Sequence, residues 1–368
     1  MRVLIVDDSA FMRKVIKGIV EREPTLEVVG LARDGEHAVT LAKQLKPDLI
    51  TLDIEMPHKD GIEALREIRV ACTDPSPSVL MCSSLTVAGS TDALRALKAG
   101  AADVIAKNPD TVGRGDEAFA AELIAKLTAL GEHKKRLNRP ALGPIAAPDC
   151  PEPAPGADLP STSDDIELVC EPEIIVIGSS TGGPPVLERL IGALPASLSV
   201  PVIVAQHMPA VFTRSLASRL DDQSACRVQL AHKGVTLEPG TVYIAEGGHH
   251  LHLTRIPSGR TVARYTEDHP GTLFKPSVDL LFESVAALFG GAVLGVVLTG
   301  MGEDGARGAG AIHARGGRVV AQSERSCVVY GMPHAVVLGG HADGLMDPDE
   351  IARLVCRAGG VRTRRRTA

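Results

Sequence analysis

The chain has 368 residues, of which 44% are hydrophobic and 23% are charged, close to the averages of globular proteins. At roughly 150 residues per domain, this length favours two or three domains. The formal net charge of −6 argues against nucleic acid as the main partner, and no apolar run reaches the ~18 residues that span a bilayer. We therefore expect neither a nucleic-acid partner nor direct membrane insertion.

The cysteines and the N-terminus indicate a cytoplasmic protein. The seven cysteines are scattered and include no C-x-x-C pair, which is typical of reduced cytosolic thiols and not of a disulfide framework or a zinc site. The short apolar stretch at the N-terminus is interrupted by Asp7 and Asp8, and it lacks the apolar core and cleavage site of a signal peptide.

Acidic residues and prolines are concentrated in one segment of the chain. Residues 139–173 hold eight acids against one base, together with eight of the 25 prolines. Proline-rich stretches extend and like charges repel, so a solvated spacer is predicted. The sequence thus predicts a first domain over 1–130, a linker over 131–172 and a second domain over 173–368. A passive tether and a regulatory linker both remain open.

Strands and helices alternate in the first predicted domain. The apolar run 3–6 is typical of a strand that is buried on both faces of a parallel sheet. Five βα units of this length predict a doubly wound α/β fold with a five-stranded parallel sheet. The predicted strands are 3–6, 26–31, 49–52, 79–82 and 104–106, and the predicted helices are 11–22, 35–45, 62–70, 91–99 and 117–130.

A second α/β pattern begins at Glu173. Within it, residues 228–265 contain Gly and Pro turn signals at 238–240, 246–248 and 257–259, which predict antiparallel hairpins. The predicted strands are 174–177, 202–205, 293–298 and 319–321, and the predicted helices are 184–190, 212–220, 278–288 and 308–314.

Polar residues follow four predicted strands of the first domain, at the edge of the sheet where ligands bind. Three carboxylates gathered there repel one another and require a cation, and a few hard oxygen ligands favour Mg²⁺. Beside Mg²⁺, Asp53 can attack phosphorus, while Lys107 neutralises charge and Ser83 donates a hydrogen bond. An aspartate after a strand is by itself more often a helix N-cap, so the prediction rests on the joint arrangement of these residues. They are Asp7, Asp8, Asp53, Ser83 and Lys107.

Residues 1 to about 130 resemble a response-regulator receiver domain. The resemblance implies that a partner histidine kinase phosphorylates Asp53. It also implies that Asp8 and Asp53 hold a metal directly, Asp7 through water, and Glu55 through its carbonyl. The matching residues are Val-Asp7-Asp8-Ser, Leu-Asp53-Ile-Glu-Met-Pro57, Asp60-Gly61, Ser83 and Lys107.

The chain departs from the receiver pattern in two places. Val104 stands where receivers often have an aromatic switch residue, and Lys107 is followed by Asn108-Pro109 instead of directly by proline. Phosphoryl acceptance is compatible with both departures, but signalling through an aromatic switch is not expected.

A G-x-S-x-G motif, Gly178-Ser179-Ser180-Thr181-Gly182, lies between a predicted strand and a predicted helix. In that context a sharp turn exposes the central serine, so Ser180 and not Ser179 is the predicted nucleophile. The motif alone is equally compatible with a glycine-rich anion-binding loop, because backbone N–H groups at a helix start also bind phosphate.

His207 and Asp304 favour a hydrolase. His207 ends the next predicted strand, and Asp304 lies in a glycine-rich loop after the strand 293–298. A serine needs a base, and a histidine serves best when a carboxylate fixes its tautomer. The glycines around Met301 allow its backbone N–H to donate to an oxyanion. Either residue alone would more often be structural, so the prediction depends on all three being at one edge of the sheet.

Two other groups of residues are not predicted to form sites. His250 and His252 share a face of one hairpin with His249 opposite, but the only nearby acid, Glu246, lies in the turn, so a metal site is not expected. Five arginines between residues 357 and 366 predict a frayed solvated tail and not a nucleic-acid arm.

From Glu173 to about Val355 the chain resembles the catalytic domain of chemotaxis protein-glutamate methylesterases of the CheB type. The resemblance assigns the nucleophile to Ser180, the base to His207, the acid to Asp304 and an oxyanion donor to Met301 N–H. Ser179 and His334 depart from the residues common in the family. The matching segments are 177–183, 206–209, 243–245, 275–279, 298–306 and 329–333.

This resemblance implies hydrolysis of γ-glutamyl methyl esters on the cytoplasmic helices of methyl-accepting chemoreceptors, with release of methanol, and deamidation of receptor glutamines. It implies a histidine kinase of the CheA type as phosphodonor and no cofactor for the esterase reaction. A catalytically inactive adaptor that binds chemoreceptors is the alternative. A response regulator with a DNA-binding output is disfavoured, since neither a recognition helix nor a basic face is evident.

Overall fold

The structure is a computed structural model that describes residues 1–73, 76–107, 117–137, 164, 166–168, 171–266 and 274–360. The chain divides into two compact units, residues 1–143 and 144–368. Most of the predicted linker and the arginines at 362–366 lie outside the described residues. Within the described parts, no helix combines the length and the apolar character that crossing a membrane requires.

The first unit is the predicted doubly wound sheet. Its strands are β1 (Arg2–Val6), β2 (Glu27–Ala32), β3 (Leu49–Asp53), β4 (Ser78–Ser84) and β5 (Asp103–Lys107), and its helices are α1 (Ala10–Val20), α2 (Gly35–Leu45), α3 (Gly61–Ala71), α4 (Val87–Lys98) and α5 (Glu117–Leu137). All strands are parallel, in the order β2-β1-β3-β4-β5. The order reverses between β1 and β3, where a doubly wound sheet opens a ligand crevice. Asp7 and Asp53 lie there.

Two helices of the first unit differ from their predicted bounds by four residues or more. Helix α4 begins four residues before its predicted start, at Val87, because Thr86 Oγ1 accepts the Gly89 N–H at 2.9 Å and so caps the first turn. Helix α5 continues past residue 130 to Leu137. Its last turns are held to the sheet, since Lys134 Nζ donates to the Asp48 carbonyl at 3.1 Å.

The second unit contains a seven-stranded, wholly parallel sheet and a separate antiparallel pair. The strands are β6 (Ile174–Ser179), β7 (Val202–Gln206), β8 (Arg227–Leu230), β9 (Thr241–Ile244), β10 (His250–Arg255), β11 (Thr261–Thr266), β12 (Val293–Val297), β13 (Arg318–Gln322) and β14 (Gly344–Met346). The helices are α6 (Gly183–Gly192), α7 (Ala210–Gln223), α8 (Val278–Phe289), α9 (Ala306–His313), α10 (Met332–Leu338) and α11 (Pro348–Ala358). The large sheet has the order β14-β13-β12-β6-β7-β9-β8, which confirms an α/β fold.

The prediction of antiparallel hairpins over 228–265 is only partly right. Strands β10 and β11 do form an antiparallel pair, but β8 and β9 join the large sheet in parallel. The turn signal at 238–240 belongs to the crossover between them, in which Gly240 donates its N–H to the Val200 carbonyl. All four residues of β9 are buried, as expected for a strand inside a parallel sheet.

The C-terminal part of the second unit holds elements that were not predicted. They comprise α10, β14 and α11, together with a short 3₁₀ turn at Glu324–Ser326. β14 has only three residues, and α10 has seven and begins at Met332-Pro333, so neither carries a long periodic pattern.

Gly61 fixes the start of α3 against the end of β3, and its replacement is the first test of this fold. A Cβ at residue 61 would lie 2.0 Å from the Asp53 carbonyl oxygen, which is backbone and cannot rotate away. We expect Gly61→Ala to lower the free energy of unfolding of the first unit by about 1–3 kcal/mol. Hydrogen exchange of the β1 and β3 amides measures this loss.

Gly18, inside α1, is the matched control, because nothing lies within 4 Å of a Cβ built there. Gly18→Ala should stabilise the unit by about 0.5–1 kcal/mol through helix propensity. Equal protection in the two variants would contradict the close approach at Gly61.

Candidate active sites

The first candidate site is a cluster of three carboxylates and one lysine at the carboxyl ends of β1, β3 and β5. Lys107 Nζ donates to Asp7 Oδ2 at 3.1 Å and to Asp53 Oδ2 at 2.5 Å. One carboxylate oxygen from each of Asp7, Asp8 and Asp53 lies within 4.8 Å of the other two. Asp7 and Asp53 are buried, whereas Asp8 is exposed. The structure therefore brings together four of the residues predicted from the sequence.

The described residues balance the charges of this cluster only in part, since Lys107 pairs with Asp7 and Asp53 while the Arg13 guanidinium bonds to the Asp7 and Asp8 backbone carbonyls. Burial raises the pKa of Asp53 to about 6, with Asp7 acting in the same direction, although the Lys107 ammonium opposes the shift. Asp53 Oδ1 is buried and has no hydrogen-bond partner among the described residues. Three carboxylates face one ammonium, so a hard divalent cation fits this donor set.

Ser83 and Glu55 lie at the same edge but make other contacts. The Ser83 hydroxyl is fully buried and donates to the Gly89 carbonyl in the first turn of α4, at 2.8 Å. Ser84, which pairs with Lys107 across the β4–β5 ladder, donates its hydroxyl to Glu55 Oε1 at 3.0 Å. Phosphoryl binding by Ser83 and metal binding by the Glu55 carbonyl remain predictions.

The second candidate site lies where β6 and β7 end. The Ser179 carbonyl accepts the His207 N–H at 3.0 Å, and Ser180 N–H donates to the Thr299 carbonyl at 3.1 Å. These bonds continue the β6–β7 and β6–β12 pairings by one residue. Ser180, His207 and the loop after β12 are therefore immediate neighbours.

His207 is held on both sides. Its Nε2 lies 2.8 Å from Asp304 Oδ2, and its ring stacks on Phe274 with centroids 4.6 Å apart and an angle of 15° between the planes. Nδ1 is buried and has no hydrogen-bond partner in the described part of the chain. The network assigns the ring proton to Nε2, which leaves Nδ1 as the nitrogen that can accept a proton. Among the described residues, no hydrogen bond joins His207 to the Ser180 hydroxyl.

The Asp304 carboxylate is anchored by the start of α8. Oδ2 accepts the Val278 N–H at 2.7 Å, and Oδ1 accepts the Asp279 N–H at 2.9 Å and the Ser277 hydroxyl at 3.0 Å. Burial by itself would raise the pKa of Asp304, but the bonds from His207 and from these amides outweigh it and lower the pKa. Asp304 is therefore ionised and suited to orient His207.

The structure distinguishes the two serines of the motif. Ser179 is fully buried, and a Cβ at residue 183 would lie 1.9 Å from its Oγ, so this hydroxyl is enclosed beneath the start of α6. Ser180 retains 6% exposure at the edge of the sheet. This geometry favours Ser180 as the nucleophile.

The loop after β12 presents a backbone donor beside Ser180. Gly300 donates its N–H to the Val329 carbonyl, and its own carbonyl accepts the N–H groups of Gly331 and Met332. A Cβ at residue 300 would lie 2.8 Å from Ser180 Cβ, so only glycine permits this approach. Among the described residues none accepts the Met301 N–H, which is therefore available to an oxyanion.

Sequence reasoning missed Thr299, Phe274 and Ser277. The buried Thr299 hydroxyl contacts the Thr181 carbonyl at 2.9 Å and accepts the N–H groups of Val328 and Val329. Neither Thr299 nor Phe274 stands in a local pattern that marks its role. Ser277 was detectable, because a serine directly before the apolar run 278–288 is a helix N-cap signal.

Of the histidines near residue 250, His250 makes a structural contact. His250 is buried, and its Nδ1 accepts the Ser277 N–H at 3.2 Å. Glu246 pairs with Arg214. His250 thus supports the segment that anchors Asp304.

Family comparisons agree with the two units. The model of the CheB methylesterase family matches residues 175–355, and that of the response regulator receiver domain matches residues 3–112. A protein-glutamate methylesterase/protein-glutamine glutaminase of Oleidesulfovibrio alaskensis is 40% identical over 97% of this chain and 99% of its own length. One from Nitratidesulfovibrio vulgaris is 41% identical over 96% and 98%, and one from a Nocardioides species is 42% identical over 97% and 95%.

Thr299 offers a test of the geometry around Ser180. Thr299→Val keeps the shape of the side chain but leaves the N–H groups of Val328 and Val329 without their acceptor. We expect the free energy of unfolding of the second unit to fall by about 2–4 kcal/mol, because buried unsatisfied groups cost ~1–3 kcal/mol each. Hydrogen exchange of the β12 amides measures the loss.

Thr299→Ser, which keeps the hydroxyl and loses only a methyl group, is the control and should cost about 1 kcal/mol. If the valine variant were the more stable of the two, the hydrogen bonds from Val328 and Val329 to the Thr299 hydroxyl would not stabilise the second unit.

Proposed function

Because the chain belongs to the CheB methylesterase family, we propose that it is a protein-glutamate methylesterase and protein-glutamine glutaminase that is regulated by its receiver domain and acts in chemotaxis adaptation. The observation that carries this proposal is the pairing of His207 with an anchored Asp304 directly beside Ser180. A serine, a histidine and a carboxylate in this relation are suited to acyl transfer.

The proposed substrates are γ-glutamyl methyl esters, and glutamine amides, on the cytoplasmic helices of chemoreceptors. Both reactions transfer the same acyl group and differ only in the leaving group, which is methanol or ammonia. Because these helices are cytoplasmic, the proposed reaction takes place in the cytoplasm. The five described cysteines are all free thiols, which suits a reducing compartment.

In the proposed mechanism, the Ser180 hydroxyl oxygen attacks the acyl carbon while His207 Nδ1 takes the hydroxyl proton. Asp304 holds Nε2 and stabilises the imidazolium, and Met301 N–H donates to the oxyanion. The tetrahedral intermediate collapses, and methanol leaves with the proton from His207. A water molecule, deprotonated by the same nitrogen, then hydrolyses the acyl-serine to give the glutamate and restore Ser180.

At the first site, we infer that Asp53 accepts a phosphoryl group from a phosphohistidine of a CheA-type kinase. Lys107 would then donate to the transferred group. Asp8 and Asp53 would hold a Mg²⁺ ion directly, Asp7 through water, and Glu55 through its carbonyl. The ion would supply positive charge for the incoming phosphoryl oxygens. We further infer that phosphorylation raises the rate of the hydrolase.

Replacing each serine in turn tests the nucleophile. We expect Ser180→Ala to lower methanol release from methylated receptor membranes by about 10³-fold or more, because the acyl-enzyme can no longer form. Ser179→Ala is the matched control, since it removes a neighbouring hydroxyl that is buried and unpartnered within the described structure. It should retain activity within a few-fold. Unchanged release by Ser180→Ala would refute the serine assignment and leave a receptor-binding adaptor.

Phosphoryl regulation is tested by methanol release with and without a small phosphodonor such as acetyl phosphate. The donor should stimulate the wild-type chain in the presence of Mg²⁺, and EDTA should remove the stimulation. Asp53→Asn, which removes one carboxylate oxygen and the charge, should not respond to the donor. We further infer that the unphosphorylated receiver inhibits the hydrolase, so a chain that lacks residues 1–172 should be faster than the unphosphorylated full chain. If it is no faster, the receiver does not inhibit the hydrolase.

A further inference from the structure

We propose that Asp279 is a positioning residue of the hydrolase site, which fixes Asp304 and, through Asp304, His207. The proposal rests on the proposed function, since it concerns the same site. The observation behind it is that Asp304 and Asp279 cap the N-termini of α8 and α9 reciprocally.

Each of these helices is capped by an aspartate that belongs to the other. Asp304, directly before α9, accepts the N–H groups of Val278 and Asp279 in the first turn of α8. In return, Asp279 Oδ1 accepts the N–H groups of Gly305 and Gly308 at the start of α9, at 2.9 and 2.8 Å. The exchange satisfies four amides that would otherwise lack partners. The position of Asp304 is therefore coupled to that of Asp279.

Glycines make this exchange possible. A Cβ at residue 305 would lie 2.8 Å from Val278 Cγ1, and one at residue 308 would lie 2.5 Å from Phe282 Cβ and 3.1 Å from Asp279 Cα. Two helix ends with larger residues could not approach so closely. Gly305 is also the N-cap of α9 and has no side chain with which to cap it, so Asp279 supplies that cap from the neighbouring helix.

The loop that carries Asp304 depends on this external cap. Gly302 and Gly305 flank Asp304 with φ of +78° and +101°, and glycine imposes little conformational restriction of its own. Asp304 must nevertheless keep Oδ2 at 2.8 Å from His207 Nε2. Without the two bonds from Asp279, the start of α9 would be free to move, and a displacement of about 1 Å in a catalytic group can cost roughly 10²-fold in rate.

Asp279 also contributes charge. Burial raises the pKa of Asp279, while the N–H of Gly308 opposes this shift. The other charged or titratable groups that face the pair are Arg307, which lies 3.8 Å from Asp279 Oδ2 and pairs with Glu283, together with His207, and His250 behind Ser277.

Two substitutions separate the hydrogen bonds of Asp279 from its charge. Asp279→Asn keeps an oxygen that can accept both N–H groups, and it should retain more of kcat than Asp279→Ala. Asp279→Ala should lower kcat by about 10–100-fold with little change in KM.

Asp343 provides a matched control in the same unit. Its carboxylate is similarly buried and accepts the Val319 N–H at 2.8 Å and a bond from Arg318 at 2.7 Å, but it lies at the opposite, N-terminal edge of the sheet. Asp343→Ala should lower the thermal midpoint and leave both kcat and KM unchanged. A loss of stability alone therefore does not mimic the expected effect.

The measurement is kcat and KM for methanol release from methylated receptor membranes by the full chain, with Ser180→Ala assayed in parallel. Activity in Ser180→Ala refutes the proposed function itself. If Ser180→Ala is inactive and a folded Asp279→Ala keeps the wild-type kcat, the positioning role is wrong. Should Asp279→Ala fail to fold, Asp279→Asn decides, because a neutral amide oxygen is a weaker acceptor than a carboxylate. A lowered kcat at an unchanged KM supports the role, and the wild-type kcat overturns it.

Discussion

Parallel pairing of strands determines where this chain can perform chemistry. In a parallel sheet every strand ends at the same edge, so residues far apart in sequence become neighbours there. Asp7, Asp53 and Lys107 meet in this way in the first unit, and Ser180 and His207 in the second. These five side chains lie at the last residue of a buried strand or one residue beyond it, whereas Asp8 and Asp304 lie farther along the loops that follow β1 and β12.

The two sites treat a buried carboxylate in opposite ways. Asp53 is buried with one oxygen unpartnered among the described residues, and its pKa is raised to about 6. The Asp304 side chain is 15% exposed, and its carboxylate receives two backbone N–H groups and a hydroxyl, so its pKa is lowered. The first arrangement leaves an oxygen able to bind a cation or attack phosphorus. The second holds a charged carboxylate between the imidazole of His207 and the start of α8.

Much of this arrangement could be predicted from the sequence, because apolar runs that end in polar residues mark both the strands and their functional edge. The five-stranded sheet, and the gathering of Asp7, Asp8, Asp53 and Lys107, followed from such runs. The parallel placement of β8 and β9 did not, since their crossover carries the same turn residues as a hairpin. The contacts of Thr299 and Asp279 depend on the approach of distant segments, which no local pattern encodes.

The hydrogen bond from the Ser83 hydroxyl to the Gly89 carbonyl limits what else Ser83 can bind in the first unit. A hydroxyl has a single proton to donate. If Ser83 donates to a phosphoryl oxygen on Asp53, it must release Gly89, and the first turn of α4 then loses a partner. Val104 offers no aromatic ring to report the change. A phosphoryl oxygen on Asp53 and the Gly89 carbonyl would then compete for the Ser83 hydroxyl proton. The unit would exchange between two states, one with each of these acceptors bound.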